Sequence, residues 1–379
     1  MFLLPKSRFL SAALAFSLGM MLLLKSSDLS EGVRKGLSVC SLSVIPSLFP
    51  FMVLSVYICK SSLSEAFAFL LRPLTKLFKI PSSSAAALFS SLIGGYPTGA
   101  KCISDLVSEG SLDRKTASKM LCYCVNAGPP FVISAVGTGI FKSAKIGFLI
   151  LFAQLLSLLL MALFLSFSIK KSSSESAFSN ICRSDGASVF VESVISAAEN
   201  CFNMCAFIVL SFGALEIFQS GNLFSRLSEN PIIKSLFFGF FEVTSGVLSA
   251  GNIPGFVGII AAGALCSFSG ISVMLQVASV TEKSKIPLLP FIVSRFFHAA
   301  FTAGFLRLFL LFSTDSAEVF SVRGNAFEAV LSASAPAAVS LLCMASLFLL
   351  SLVPQKSEKE PLFSRIKYKF KEFKHSQIK

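Results

Sequence analysis

Three uncharged runs, Leu37–Cys59, Ile146–Ile169 and Ala329–Val353, are each long enough to cross a bilayer as a helix, which takes about 20 residues. Lipid offers no partner to a backbone N–H or C=O, so a span of this length and composition has to be a helix. The rest of the chain agrees. Hydrophobic residues make up 54% of its 379 positions and charged residues only 14%, against roughly a quarter in a soluble domain. The fold class that follows is an all-α polytopic membrane protein with about eight transmembrane helices.

Charge supplies orientation. The net charge is +13, and Lys and Arg collect in cytoplasmic loops because such loops resist translocation. Lys170, Lys171 and Arg183 lie in a polar linker, and the tail after Val353 is rich in lysine. Both are read as cytoplasmic, the tail drawn to anionic lipid rather than to nucleic acid. At the N-terminus, Lys6 and Arg8 precede apolar Phe9–Leu24 with no small-residue cleavage site after it; this reads as an uncleaved signal anchor. The organisation expected is a signal-anchor helix at 1–30, a first repeat at 31–170, a cytoplasmic linker at 171–187, a second repeat at 188–313, a final span at 327–353 and a basic cytoplasmic tail at 354–379.

Two regions interrupt the spans. From Ile80 to Ala100 the chain is uncharged, yet Gly94-Gly-Tyr-Pro-Thr-Gly99 cannot continue a helix. A re-entrant hairpin over about 82–110 is expected, its entering half of about 14 residues reaching about 21 Å, past the middle of a ~30 Å core. The next helix starts near Ser111 or Asp113, breaks at Asn126-Ala-Gly-Pro-Pro130 and resumes to Phe141. The order then recurs. Phe51–Ser55 matches Phe207–Ser211, the Gly95–Gly99 turn matches Glu242–Gly246, and Ala127-Gly128 matches Ser269-Gly270. Three crossings separate the two starts, so the repeats are inverted. Inverted repeats with discontinuous helices point to a binding site near the midplane.

The site candidates follow from that geometry. A helix that restarts within the membrane presents unpaired N–H groups at its positive end, so Gly128 and Gly270 mark two anion-binding restarts. Gly95, Tyr96, Thr98, Gly99, Asn126, Thr244, Ser245, Ser269 and Gln276 are candidates to line the same place. Lys101 reaches either a substrate carboxylate or Asp105 one turn on. Glu242, an acid at the tip of the second hairpin, is a candidate by depth alone. Arg295 and His298 lie one turn apart in a span, with Arg295 either functional or snorkelling to an interface. Gly94–Lys101 resembles a phosphate-binding loop but fails it, since Ala100 separates glycine from lysine and Cys102 replaces the hydroxyl residue. Ten cysteines and two histidines form no metal pattern and no nucleophile–base set. No cofactor, metal or catalytic residue is expected.

Gly94-Gly-Tyr-Pro-Thr-Gly-Ala-Lys101, Asn126-Ala-Gly-Pro-Pro130, Gly270-Ile-Ser-Val-Met-Leu-Gln276 and Arg295-Phe-Phe-His298 resemble the sporulation integral membrane proteins of the YlbJ (stage V sporulation) type. The repeats resemble the nucleoside-recognition, or gate, domain of concentrative nucleoside transporters. The resemblance covers about 35–350 and departs from the family pattern at Ser269-Gly270 and at Met274. It implies a role in endospore formation, in the mother-cell-derived outer forespore membrane, with dipicolinate as cargo moved toward the forespore for core and cortex maturation. The expectation is therefore a transporter for a small anionic aromatic rather than an enzyme. A nucleoside or nucleobase transporter and a non-transporting assembly factor for the spore envelope are the alternatives. A coupling cation or proton and a homo-oligomer remain open.

Overall fold

The computed structural model describes residues 6–168, 186–220 and 229–312, with the side chains of 6–14, 65, 68 and 83 outside the description. The expected final span at 327–353, the tail at 354–379 and nearly all of the 171–187 linker lie outside the described residues. Those described form helices joined by short turns, with no strand among them. Five helical stretches are long and apolar enough to cross a membrane: Ser26–Lys60, Ala144–Ser166, Ala187–Gln219, Phe256–Thr281 and Leu289–Phe312. The chain is a multi-pass membrane protein.

Helix α1 (Lys6–Leu24) leads directly into α2 (Ser26–Val39), one wide π turn at Cys40–Val44, and α3 (Ile45–Lys60). The second span thus begins at Ser26 rather than near Leu37, because a polar, charged turn prolongs the apolar rod beyond the hydrocarbon. Pro46 follows the π turn; a proline cannot donate to the preceding ladder, and a local widening accommodates it. Amphipathic α4 (Leu63–Leu77) leads to the expected hairpin. Its limbs are α5 (Ala85–Gly94), after one 3-10 turn at Ser82–Ser84, and α6 (Thr98–Ser108). At ten residues α5 is shorter than anticipated, about 15 Å at helical rise, so the turn lies near mid-depth.

The broken helix comprises α7 (Arg114–Leu121), a turn and irregular stretch over 122–129, and a π-type helix, Pro130–Ile140. The break opens earlier than Asn126, at Cys122. Then come α8 (Ala144–Ser166) and α9 (Ala187–Gln219), followed by a second hairpin of α10 (Pro231–Phe241) and α11 (Val243–Ala250), a second broken helix of α12 (Phe256–Phe268) and α13 (Gly270–Thr281), and α14 (Leu289–Phe312).

Apolar burial does not hold helices together in lipid, so close backbone approach and polar contacts do. α2 packs along α9 through Gly32 and Gly36. A Cβ on Gly32 would fall 2.5 Å from the Phe212 carbonyl oxygen, and one on Gly36 2.9 Å from the Val209 Cα. The two rods run antiparallel, for Lys35 pairs with Glu216 at 3.0 Å near one end and Lys60 with Glu192 at 2.6 Å near the other. Ser55 joins its rod to the first hairpin at Ser90 Oγ, 2.8 Å away, and the Cys59 and Cys102 sulfurs lie 3.4 Å apart across the same contact. Ser104 meets Ser284 at 3.0 Å and Ser118 donates to the Pro287 carbonyl at 2.6 Å. The first hairpin and first broken helix therefore begin at the end of the bundle where the second broken helix finishes.

Two outcomes check this packing. In a chain keeping only Cys59 and Cys102 of its ten cysteines, mild oxidation should close an intramolecular disulfide, read as a mobility shift reversed by reductant; no shift would misplace the first hairpin. Asp113 caps α7 by accepting from the Lys115 and Thr116 amides at 3.0 and 2.9 Å. Burial pushes its carboxyl upward, but hydrogen bonds from Thr116 and Lys115 outweigh this and hold it below its ordinary value. Its cap contribution is thus complete above about pH 4 and fades as pH falls through the lowered value. Asp113→Ala should cost about 1 kcal/mol in detergent unfolding near neutrality, and less in acid.

Candidate functional site

Four helix interruptions meet in the middle of the bundle. Gly95, at the tip of the first hairpin, has φ +67° and ψ −157°, a conformation essentially restricted to glycine. A Cβ there would fall 2.8 Å from the Gly128 amide nitrogen, so this tip rests on the restart of the first broken helix. The second half of the chain does the same. Ser269 and Gly270 both take positive φ, +77° and +76°, which ends α12 and starts α13. A Cβ on Gly270 would lie 3.0 Å from the Gly239 carbonyl oxygen and 3.2 Å from that of Phe241, so the second tip rests on the second break.

Between the two tips lies a small hollow of about 20 Å³, room for about one water. Six of the residues singled out from the sequence line it: Gly95, Tyr96, Gly128, Glu242, Thr244 and Gln276. Apolar groups from the long rods complete the wall, Val44 and Leu48 from the first and Met204 and Ile208 from α9, with Phe131, Val243 and Val273 beside the breaks. These apolar residues were not legible in sequence, because a hydrophobe in a hydrophobic span carries no signal. Two hints existed: Pro46 beside the π turn, and the Phe51–Ser55 match to Phe207–Ser211, within which Ile208 falls.

Helix ends dominate the electrostatics. α6, the Pro130–Ile140 helix and α13 all begin near here with no side chain capping them, which brings three positive dipole ends toward the centre. Pro129 and Pro130 carry no N–H, and the Thr98 and Val132 amides are taken by the Gly95 and Gly128 carbonyls. The fourth start, that of α11, is capped by the protein itself. Glu242 is 1% exposed, and its Oε2 accepts from the Ser245 amide at 2.7 Å and the Ser245 hydroxyl at 3.1 Å.

The carbonyl ends of the broken helices are satisfied from the opposite half of the chain. Arg295, fully buried on α14, donates to the Val125 carbonyl at 2.6 Å and to that of Cys122. Its guanidinium lies 4.8 Å from the Phe291 ring centre, and one nitrogen is 3.4 Å from His298 Nδ1. Arg295 therefore neither lines the cavity nor reaches an interface. Tyr96 does the equivalent task for the second break, its hydroxyl donating to the Cys266 carbonyl. Gln154 on α8 meets Ser267 Oγ at 3.2 Å, and Ser267 meets Thr302 at 2.8 Å.

The remaining candidates lie off the cavity wall. Lys101 pairs with Asp105 at 2.8 Å, both about half exposed. Thr98 turns back to the Gly94 carbonyl at 3.4 Å, and Gly99 packs tightly on Ser91 and the Cys124 carbonyl. Ser245 serves Glu242, and the Ser269 hydroxyl reaches the Ser267 carbonyl at 3.4 Å. Asn126 Nδ2 donates to the Tyr123 carbonyl at 3.3 Å, while its Oδ1, His298 Nε2 and Gln276 Oε1 are buried without a partner. Of these three residues, Gln276 borders the cavity; its Nε2 contacts Ser272 Oγ at 3.3 Å.

The arrangement sets Glu242, Thr244 and Gln276 around one small hollow between tips that are themselves backbone. Gly95→Ala should cost about 1–3 kcal/mol from backbone strain alone and push the first tip off Gly128; an unchanged unfolding temperature would refute this tip geometry.

No family model and no solved structure matches the chain. Among curated proteins, the sporulation integral membrane protein YlbJ of Bacillus subtilis (strain 168) is 25% identical over 312 residues, covering 73% of this chain and 76% of that protein. The similarity bears out the resemblance to the YlbJ type; the likeness to nucleoside-recognition repeats stays an expectation.

Proposed function

We propose that the chain is a secondary transporter or permease rather than an enzyme, and that its cargo lodges between the two hairpin tips. The observation that carries this reading is the polar-lined hollow at the meeting point of four interrupted helices. Unwound backbone is tolerated at membrane depth where it borders protein or a water-filled hollow. The hollow of about 20 Å³ holds about one water, so cargo enters when a hairpin tip lifts from its break. The similarity to a sporulation integral membrane protein supports work in sporulation, and the family resemblance of the sequence motifs implies the outer forespore membrane as its place and dipicolinate as its cargo. The positive dipole ends of three uncapped helices near the hollow suit an anion of that kind.

Inverted repeats and cytoplasmic termini belong to the same proposal. The antiparallel rods support it, as do the two hairpin-and-break pairs in the same order. So does the end of the bundle holding Lys60, Arg72, Lys76, Lys79, Arg114, Lys115 and Lys119, which the positive-inside tendency assigns to the cytoplasm.

One observation favours a nucleoside or nucleobase as cargo instead. Lys101 and Arg295, the two cations expected to balance an anion, are engaged elsewhere, and Glu242, Thr244 and Gln276 offer hydrogen bonds to an uncharged heterocycle.

Uptake into proteoliposomes separates the readings. Labelled dipicolinate should accumulate saturably. Gln276→Leu should reduce its uptake at least about tenfold, the cost of one lost buried hydrogen bond to an ionised group. Lys101→Ala should change it less than about twofold, as for an exposed ion pair. Nucleoside uptake alone would select the second reading, and a folded protein moving neither would end both.

A further inference from the structure

Glu242 is out of keeping with an anion site. It borders the cavity and is 1% exposed, and among the described residues no Lys, Arg or His pairs with it. The buried cation of the bundle, Arg295, is committed to the Cys122 and Val125 carbonyls. α12, α13 and the Pro130–Ile140 helix, packed around the second hairpin, contain no charged residue. The titratable groups that bear on Glu242 are Tyr96 from the first hairpin and Cys40 from the π turn, with Cys205 of α9 behind Cys40. Both tyrosine and cysteine are neutral in their ordinary range at physiological pH. The Ser245 amide and hydroxyl donate to the carboxyl, and the Thr244 amide and hydroxyl also bear on it. The matching position in the first hairpin is Gly95, which brings no charge.

An anionic cargo and an ionised Glu242 would share one small cavity of low effective dielectric, where like charges repel strongly. A proton on Glu242 removes that repulsion and leaves the three uncapped helix starts free to act on the cargo. We propose that Glu242 carries the proton that travels with each cargo anion, which makes the protein a proton–anion symporter. The proton leaves water on the entry side, resides on a Glu242 carboxyl oxygen while the anion is bound, and returns to water on the exit side. Nothing else is consumed or formed. Linkage is reciprocal: acid strengthens anion binding, and anion binding draws in a proton. This inference rests on the cavity being the cargo site.

The test uses the full chain with dipicolinate as probe. In weakly buffered detergent, binding should take up about one proton per anion, and affinity should weaken as pH rises. In proteoliposomes, acid on the entry side should drive accumulation, adding about tenfold per unit of pH gradient for one proton per cargo. Glu242→Gln keeps an oxygen that can accept from Ser245. It should bind dipicolinate independently of pH and exchange it across the membrane, without accumulating it under a pH gradient. Glu242→Asp should keep gradient-driven accumulation. Binding by the wild type with no proton uptake would overturn the proposal, whatever the variants do. So would gradient-driven accumulation by Glu242→Gln, or transport confined to uncharged nucleosides. Absence of any saturable binding by the folded wild type would instead overturn the assignment of the cavity as the cargo site.

Discussion

Peptide groups set free inside a membrane have to find partners in the protein, and this bundle is arranged around that requirement. Four interruptions release N–H groups at one set of helix ends and carbonyls at another. Water is not at hand in the hydrocarbon, where an unsatisfied group costs several kcal/mol. The carbonyl ends are answered by long polar side chains. Arg295 serves Cys122 and Val125, and Tyr96 serves Cys266. The N–H ends are answered unequally: Glu242 caps α11, whereas α6, α13 and the Pro130–Ile140 helix have no side-chain cap. Positive helix ends around a hollow are what a binding site for an electron-rich molecule needs. The site is thus a consequence of how the breaks are satisfied, not an addition to the fold.

The tips can meet because their side chains are missing. Gly95 lies on Gly128, and Gly270 on the backbone of Gly239 and Phe241. A methyl group at these contacts would hold the tips apart, and the interrupted ends would then surround a wider, wetter space. Close backbone contact also fixes the relative position of hairpin and break, so each pair of elements has little freedom to slide. The apolar wall from Val44, Leu48, Met204 and Ile208 supplies the rest of the enclosure through the two long antiparallel rods.

Much of this was legible in the sequence. Breaks announce themselves when glycine, proline and small polar residues stand inside an otherwise apolar stretch, as at Gly94–Gly99, Asn126–Pro130 and Ser269–Gly270. Glu242 announced itself by being an acid where acids are expensive. Partners were not legible, because they depend on packing between segments far apart in the chain. The local partner of Lys101, Asp105 one turn away, was already among the readings, whereas Arg295, read as functional or snorkelling, found two carbonyls about 170 positions distant. Lengths were only partly legible. α5 ended three residues shorter at its start because Ser82–Ser84 formed a tighter turn, and α7 unwound at Cys122, ahead of the glycine and prolines, once Arg295 was there to receive its carbonyls.

The two halves of the chain are tied by the same bonds that complete the breaks. Arg295 belongs to the second half and serves the first break; Tyr96 belongs to the first half and serves the second. Gln154 and Ser267 repeat the exchange. A motion that opens the cavity by parting the halves must therefore strip partners from carbonyls at both breaks at once, and must replace them with water or cargo. A motion that lifts one hairpin tip from its own break has a different cost, since Gly95 and Gly128 touch by backbone without a hydrogen bond between them. The tip contacts are the weaker seam, and the seam nearest the cavity. Opening on either side is accordingly expected to start at a glycine tip, with Arg295 and its carbonyls keeping the frame against which the tip moves.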